Sequence, residues 1–383
     1  MIRKIAFGVL ITLASCNAGP EKKGVIAADQ AMEKFTPTKV KYAHGFNIEY
    51  HEGYKVLYIF NRAGEKKDTN EYVLLPRGAA QPAGHERAHI VHIPIRSMAV
   101  LSSMHIALAD FVGVTDEIVG LGNLQFIYST AVRENVKAGK IKQVGIDGSL
   151  NNELLISLHP ELLIAGANPE AGMSHYKTIL DAGIPVVMNA EWLESTPLGR
   201  AEWVKVLAAF VNKEDSVNRR FDSVEAAYDK LVKLAATAKT KPTVIIGMPY
   251  KGTWYVPAGD SYVSHSLIDA GATYHYSNTP GVGSLALNFE SVAPDALKAE
   301  FWLNIGFVDS KAEIASKDRR YTSFKPYVNG NTYNNTARTN DLGSNDYWES
   351  GFVRPEVVLA DMISILHPEL LPDYHLVYYK QLK

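Results

Sequence analysis

The sequence predicts an α/β protein with two lobes joined by one long helix, and three observations indicate this fold. Short apolar strands alternate with helical segments over residues 88–200. The alternation stops at 201–240, where nearly all residues are compatible with a helix, and it resumes over 241–383. Because strands of this kind usually form parallel sheets covered by helices on both faces, we expect one such lobe on each side of the helix.

The chain begins with features of an export signal. Arg3 and Lys4 precede an apolar run over residues 5–14 that is too short to span a bilayer. The motif Leu13-Ala14-Ser15-Cys16 resembles the lipobox of bacterial lipoproteins, so we expect residues 1–16 to be a signal peptide and Cys16 to be lipidated. The alternative is an ordinary signal peptide beside an unmodified thiol. Cys16 is the only cysteine, which predicts an exported domain without disulfides.

Polar and small residues follow the cysteine. Residues 17–40 lack apolar periodicity and are interpreted as a tether, whose roughly 24 residues would reach about 25–30 Å. Residues 41–87 are predicted to be a strand-rich N-terminal extension. In it, the apolar runs Tyr54–Phe60 and Tyr72–Leu75 are separated by a polar turn, the pattern of a hairpin or short meander.

The first lobe is predicted to open with a strand at His89–Ile95 and a helix at Ser102–Phe111. In the helical region 201–240, apolar residues recur every three or four positions: Val217, Phe221, Val224, Tyr228, Leu231 and Leu234. With Asp215 as its cap, this helix would run for about 22 residues, or roughly 33 Å. In the second lobe, residues 320–348 read as a long polar, aromatic-rich loop, and Pro355–Leu366 as the closing helix.

Several function classes find no support in the sequence. The net charge of −2 gives no electrostatic footprint for nucleic acid. Nucleophile-elbow, phosphate-loop and zinc-protease motifs are absent, and no catalytic residue is assigned. His89 and His92 have odd spacing in a predicted strand, so they point to opposite faces and no metal-ligand set or resident cofactor is expected. An exported α/β hydrolase remains the alternative from another class, because a Ser-His-Asp arrangement can occur in any chain order.

Candidate ligand contacts come from aromatic and arginine residues near predicted loops. Aromatic side chains in loops offer flat surfaces for a planar ligand, although they can also simply pack the loops onto a lobe. Arginines can bind anionic groups, and Arg96 is placed at the carboxyl end of a predicted strand, where open α/β sheets bind ligands. The predicted ligand-binding residues are Arg96, Trp254, Tyr255, Tyr262, Arg338 and Trp348.

Four stretches resemble one family: residues 152–165, 196–203, 269–272 and 288–292. Their order and sequence are similar to those of the periplasmic substrate-binding proteins for iron siderophores, haem and cobalamin, and the similarity covers about 89–383. The resemblance implies two Rossmann-like lobes bridged by a rigid helix, with the ligand between the lobes. It also implies that Glu153 and Glu290, one on each lobe, dock onto a permease dimer. The extension at 41–87 has no counterpart in the minimal fold of the family.

The sequence therefore leads to the hypothesis of a monomeric periplasmic receptor, anchored to a bacterial membrane through Cys16. It would capture a ferric siderophore or a similar iron complex and deliver it to an ABC importer. Cobalamin and haem are the alternatives among ligands. A surface lipoprotein that serves an outer-membrane transporter is a further alternative.

Overall fold

The structure, a computed structural model, describes residues 37–61, 68–146, 148–167 and 172–383. The predicted signal peptide, Cys16 and residues 17–36 of the predicted tether lie outside this range. Among the described helices, none combines the length and the apolar character that crossing a bilayer requires.

The N-terminal extension forms a four-stranded sheet of its own, in the order β1-β2-β3-β4. Its strands are β1 (Phe46–His51), β2 (Tyr54–Asn61), β3 (Asp68–Pro76) and β4 (His89–Ile93). The first three are antiparallel, and β4 pairs with β3 in parallel. The prediction that His89–Ile95 opens the first α/β lobe was therefore wrong. An apolar run predicts a strand but does not say which sheet the strand will join.

The first lobe contains a five-stranded, fully parallel sheet in the order β7-β6-β5-β8-β9. Its elements are β5 (Met98–Val100), α1 (Ser103–Val112), β6 (Ile118–Leu121), α2 (Thr130–Lys137), β7 (Lys142–Gln143), α3 (Asn152–Ser157), β8 (Leu163–Gly166), α4 (Lys177–Asp181) and β9 (Val186–Asn189). The central strand β5 is fully buried. Because all five strands run in one direction, their carboxyl ends meet at one edge of the sheet.

Three helices connect the lobes: α5 (Pro197–Ala201), α6 (Val204–Val211) and α7 (Glu214–Ala235). Helix α7 has 22 residues, which confirms the predicted long helix. Val217 and Phe221 near its start pack in the core of the first lobe, and Tyr228 and Ala235 pack in the core of the second. The helix therefore crosses from one lobe to the other. It begins at Glu214 with Lys213 at the cap position, not with Asp215 as predicted.

The second lobe has a five-stranded sheet in the order β12-β10-β14-β15-β16, of which only β16 is antiparallel, and a two-stranded ribbon of β11 and β13. The elements are β10 (Thr243–Ile246), β11 (Trp254–Pro257), α8 (Tyr262–Asp269), β12 (Thr273–Tyr274), β13 (Ser284–Leu287), α9 (Phe289–Ala296), β14 (Phe301–Leu303), α10 (Lys311–Lys317), α11 (Lys325–Asn329), β15 (Thr332–Asn334), α12 (Asp346–Glu349), α13 (Pro355–Leu366) and β16 (Lys380–Gln381). The region 320–348, predicted to be a loop, contains α11, β15 and α12.

Buried carboxylates hold the start of the extension against the connecting helices. Glu202 accepts hydrogen bonds from the backbone N–H groups of residues 41–43 over 2.7–3.1 Å. Glu194 accepts from the N–H groups of His44 and Gly45, each over 2.8 Å. These bonds compensate the burial of two charged groups, and they fix the extension onto the segment that joins the lobes.

Candidate functional site

Four of the exposed large apolar side chains follow the carboxyl ends of parallel strands. Phe126 follows β6 and Ile146 follows β7 in the first lobe, while Tyr250 follows β10 and Phe307 follows β14 in the second. Phe307 is 95% exposed. Each lobe thus has two of these side chains beyond the carboxyl ends of its parallel strands, the edge at which open α/β sheets bind ligands. We call these four residues the apolar rim.

A cavity of about 30 Å³ lies where α5, α8 and the α12–α13 region meet. It has room for one or two water molecules or for a single small functional group. Its lining comprises Pro197, Arg200, Tyr262, Ser266, Tyr347, Gly351, Phe352, Pro355 and Val358. The cavity is too small for a whole metal chelate, so it can take only a part of a ligand of that size.

Arg200 is the charged residue in this lining, and it is only 7% exposed. Its Nη2 donates to Met104 Sδ over 3.1 Å and to Glu191 Oε1 over 3.4 Å, both in the first lobe. The guanidinium also lies 4.3 Å from the ring centre of Tyr262 in the second lobe. One side chain thus contacts both lobes.

The hydrogen bonding of Arg200 is incomplete. Its Nε is buried and has no partner in the described part of the chain. Both of its Nη2 contacts are weak, since one acceptor is a thioether sulfur and the other is at the long end of the distance range. Burial raises the pKa of Glu191, and the neighbouring Arg200 only partly opposes this. Glu191 therefore pairs with Arg200 through a single long contact, which leaves most of the guanidinium N–H groups without a carboxylate partner.

Tyrosine and asparagine side chains continue the polar surface beside Arg200. Burial raises the pKa of Tyr347 to about 12, so its hydroxyl stays protonated and can donate a hydrogen bond. Its ring packs edge-on against that of Tyr379, with 5.9 Å between the ring centres. Asn304 follows β14 and has a φ of 50°, a left-handed conformation that asparagine tolerates better than most residues.

A segment of the second lobe, residues 338–349, forms a second connection to the first lobe. Glu349 accepts hydrogen bonds from the N–H groups of Tyr128 (2.7 Å) and Ser129 (2.8 Å) at the start of α2. Asn340 donates to the carbonyl of Ile127 over 3.0 Å. Burial raises the pKa of Glu349 to about 7. Together with α7, these contacts restrict rotation of one lobe against the other.

In the structure the six predicted ligand-binding residues fall into two groups of three. Tyr262 lies in the wall of the cavity, stacked under Arg200. Trp348 is half-exposed on α12, next to the lobe-bridging Glu349. Arg338 donates to Asp346 over 2.6 Å and lies 5.2 Å from the ring centre of Tyr128 in the first lobe. These three remain predicted contacts.

The other three lie elsewhere. Arg96 is exposed and precedes β5, so its placement at the carboxyl end of a strand of the parallel sheet was wrong. Trp254 is fully buried in the second lobe, where its Nε1 donates to the carbonyl of Ile246, and so belongs to the core rather than to a loop. Tyr255 is exposed on β11, also in a strand.

Glu153 and Glu290 occupy equivalent positions in the two lobes. Each is the second residue of a helix, α3 or α9, that leads into the strand paired with the first strand of its lobe. In both helices an asparagine caps the first turn, with Asn151 accepting from Leu154 N–H over 3.0 Å and Asn288 from Ser291 N–H over 2.8 Å. Both glutamates are exposed.

Sequence reasoning did not select Arg200 or Glu191. One signal was available for Arg200, since it stands in an otherwise largely apolar stretch that leads into the connecting helices. Its neighbour Glu202 gives the same signal but serves to hold the extension. Among the described residues, no group of three or more His, Cys, Asp or Glu side chains is arranged to hold a metal ion.

Comparisons with known proteins agree with this architecture. A structure of a possible iron-binding solute-binding protein from Staphylococcus epidermidis superposes with a TM-score of 0.56 at 17% identity, over 72% of this chain and 99% of that one. The vitamin B12-binding protein of Vibrio cholerae gives 0.51 at 13% identity, over 73% and 99%. The molybdate-binding protein of Haemophilus influenzae gives 0.57 at 16% identity, over 75% and 90%. At such identities the likeness concerns the fold alone.

Sequence comparison extends the likeness to relatives and to a family. An uncharacterized lipoprotein of Methanocaldococcus jannaschii is 28% identical over 363 residues, which cover 88% of this chain and 84% of the relative. The sequence profile of the periplasmic binding protein family matches residues 98–321, more than half of the chain. This range contains the first lobe, the connecting helices and most of the second lobe. The chain belongs to the periplasmic binding protein family.

Proposed function

We propose that this protein is a solute-binding lipoprotein that captures a ferric siderophore or a similar metal chelate and delivers it to an ABC importer. The observation that carries the proposal is the apolar rim, which lies at the carboxyl ends of the strands in both lobes. Exposed aromatic and aliphatic side chains at this edge of each lobe suit a bulky, partly apolar ligand with its own bound metal. The family membership supports a binding role rather than an enzymatic one.

The fixed separation of the lobes supports the same proposal. Helix α7 packs in both cores, and Glu349 bonds across to α2. A receptor held in this way needs little closure to bind, so less free energy is spent on ordering the protein. The cavity is too small for the ligand as a whole, which leaves the bulk of the chelate between the parts of the apolar rim.

The identity of the ligand has alternatives within this proposal. Structural neighbours include proteins described as binding haem, vitamin B12 and molybdate, so the same fold holds chelates of different charge and size. We place a ferric siderophore or similar iron complex first and cobalamin or haem second. For the location, the lipoprotein relative supports an anchor at Cys16 and a position outside the cytoplasm.

A fluorescence titration tests the proposal. The purified protein would be titrated with ferric citrate, a ferric catecholate, haemin, cyanocobalamin and molybdate, with free ferric iron as the control. We expect saturable quenching of tryptophan emission by one class of chelate. Replacement of the half-exposed Trp348 with Phe should reduce the quenching amplitude more than replacement of Trp254, which is buried in the second lobe. The proposal fails if no chelate binds at 100 μM, a concentration on the order of tenfold above the Kd of a weak receptor.

The equivalent glutamates support a docking role. Two exposed carboxylates, one per lobe and each at a helix start, would fix the orientation of the receptor on a symmetric permease. The Glu153→Ala, Glu290→Ala double variant should lose uptake in cells and keep its chelate affinity within twofold. Glu134→Ala, another exposed helical glutamate, serves as the matched control. Loss of chelate binding in the double variant would contradict the docking role.

A further inference from the structure

We propose that Arg200, together with Tyr262 and Tyr347, forms a subsite at the junction of the two lobes that binds an anionic oxygen group of the cargo, most simply a carboxylate. This inference rests on the proposed function and adds to it the charge and chemistry of one ligand group. The three residues come from α5, α8 and α12, so the connecting helices and the second lobe build the subsite together.

The guanidinium of Arg200 has unused hydrogen-bonding capacity. A guanidinium carries five N–H donors in a planar fork that matches a carboxylate. In the described chain, Arg200 donates only to Met104 Sδ and to Glu191 Oε1, and its Nε has no partner. Buried donors are otherwise almost always satisfied, so an unpaired Nε on a residue that is 7% exposed indicates a site awaiting an acceptor.

The charge balance leads to the same conclusion. A buried cation is costly unless an anion lies close to it. Glu191 is the nearest carboxylate, but its oxygen is 3.4 Å from Arg200 Nη2 and burial raises its pKa. The other contacts of the guanidinium are the faces of the Tyr262 and Phe352 rings, at 4.3 and 5.2 Å. Aromatic faces stabilise a cation but leave its in-plane N–H groups free for an acceptor.

The shape and lining of the cavity limit what can enter. A cavity of about 30 Å³ accepts a group the size of a carboxylate and rejects a whole chelate. Its lining includes the apolar residues Pro197, Phe352 and Val358, and a charge-assisted hydrogen bond is stronger in such surroundings than in bulk water. Tyr262 and Tyr347 line the same cavity, and their hydroxyls can donate further hydrogen bonds to the same anion.

The position of Arg200 places the bound carboxylate relative to the rest of the ligand. The guanidinium touches Met104 and Glu191 of the first lobe and Tyr262 of the second. A carboxylate bound there would orient the chelate, while the apolar rim contacts its body. The site therefore favours chelates that carry free carboxylates, such as citrate complexes or haem, over cobalamin, whose side groups are mainly neutral amides.

Titrations of Arg200 variants with the chelates named above test the inference. We expect at least one carboxylate-bearing chelate to bind the unaltered protein, and Arg200→Met to weaken this binding at least 30-fold, or about 2 kcal/mol. Arg200→Lys should recover only part of the affinity, because a lysine lacks the planar fork. Arg96→Gln, an exposed arginine before β5, is the matched control and should change affinity less than twofold.

Thermal unfolding separates a ligand-binding arginine from a structural one. Since Arg200 is poorly paired without ligand, the Arg200→Met, Glu191→Gln variant should unfold within about 2 °C of the unaltered protein. A structural arginine would instead lower the midpoint by several degrees in that variant, which would overturn the inference.

The outcomes distinguish the inference from the proposed function. If cyanocobalamin binds as tightly as any acidic chelate and Arg200→Met changes nothing, the subsite is refuted while the receptor role stands. If molybdate binds in an Arg200-dependent way and no chelate does, the anion is a free oxyanion, and the inference that it belongs to a chelate is wrong. If no ligand of the set binds, both fall.

Discussion

Replacement of Lys55 with methionine provides a direct test of how the extension is held in place. Lys55 lies on β2, and its Nζ donates to Glu214 at the start of α7, to the carbonyl of Ala209 over 2.9 Å and to Asn212 Oδ1 over 2.8 Å. The side chains of Lys55 and Glu214 are 2% and 0% exposed. Burial lowers the pKa of Lys55 and raises that of Glu214, and the attraction between the two groups only partly opposes these shifts.

The expected magnitude follows from the burial of both charges. Lys55→Met leaves the carboxylate of Glu214 in the interior without a counter-ion, a change that costs about 3–5 kcal/mol in buried pairs. The other oxygen of Glu214, Oε2, is already buried without a partner among the described residues, so no alternative donor can compensate. In contrast, the Lys55→Met, Glu214→Leu double variant removes both charges and should lie within about 1 kcal/mol of the unaltered protein.

Urea unfolding followed by circular dichroism measures both effects. The midpoint of Lys55→Met should fall while the denaturant dependence stays the same. Lys137→Met is the matched control, because the side chains of Lys137 and its partner Glu134 are 65% and 63% exposed. Loss of this exposed ion pair should change the free energy of unfolding by less than about 0.5 kcal/mol. The reasoning is refuted if Lys55→Met costs less than about 1 kcal/mol, or if the double variant is as unstable as the single one.

Three further predictions concern other buried groups. The pKa of Glu349 rises from an ordinary 4.5 to about 7, so between these pH values the folded state binds a proton that the unfolded state has lost. The free energy of unfolding should therefore fall by about 3 kcal/mol as pH rises from 4.5 to 7. Glu349→Gln should flatten this pH dependence in urea titrations. Asp361→Ala should cost about 3 kcal/mol or more in the same assay, since three N–H groups and one hydroxyl lose their acceptor, and a loss below 1 kcal/mol would contradict this. Gly45→Ala should lower stability by about 1–3 kcal/mol, because the added Cβ would lie 2.7 Å from the Trp203 ring. Gly283→Ala is the control and should be nearly neutral, since its Cβ would meet nothing within 4 Å. Equal effects of the two substitutions would contradict the packing argument.

Much of the architecture could be predicted from local patterns. The apolar spacing between Val217 and Leu234 predicted a helix of about 22 residues, and α7 has that length. The closing helix at Pro355–Leu366 was predicted with its observed bounds. Such features depend on periodicity and on proline at a helix start, which neighbouring residues along the chain determine by themselves.

Other features depended on contacts between distant residues. The strand at His89–Ile93 was predicted as a strand but assigned to the wrong sheet, because its pairing with β3 depends on the geometry of the whole extension. Trp254 was predicted to contact the ligand but packs within 6.4 Å of Trp302, ring centre to ring centre, in a core that the aromatic content alone does not reveal. Position relative to a sheet is a tertiary property, so sequence reasoning has no access to it.

The sequence alone determined that two α/β lobes are linked by a long helix, since the hydrophobic periods of strands and helices are local signals. It also pointed to the family, through four short stretches in the right order. Only the tertiary structure decided which charged residue faces the space between the lobes. Arg200 and Glu202 are two residues apart in the same helical segment, yet one meets a poorly matched glutamate in a cavity and the other binds three backbone N–H groups of the extension. Their surroundings are supplied by segments far away in the sequence, and those surroundings determine whether a buried charge is satisfied by the protein or left for a ligand.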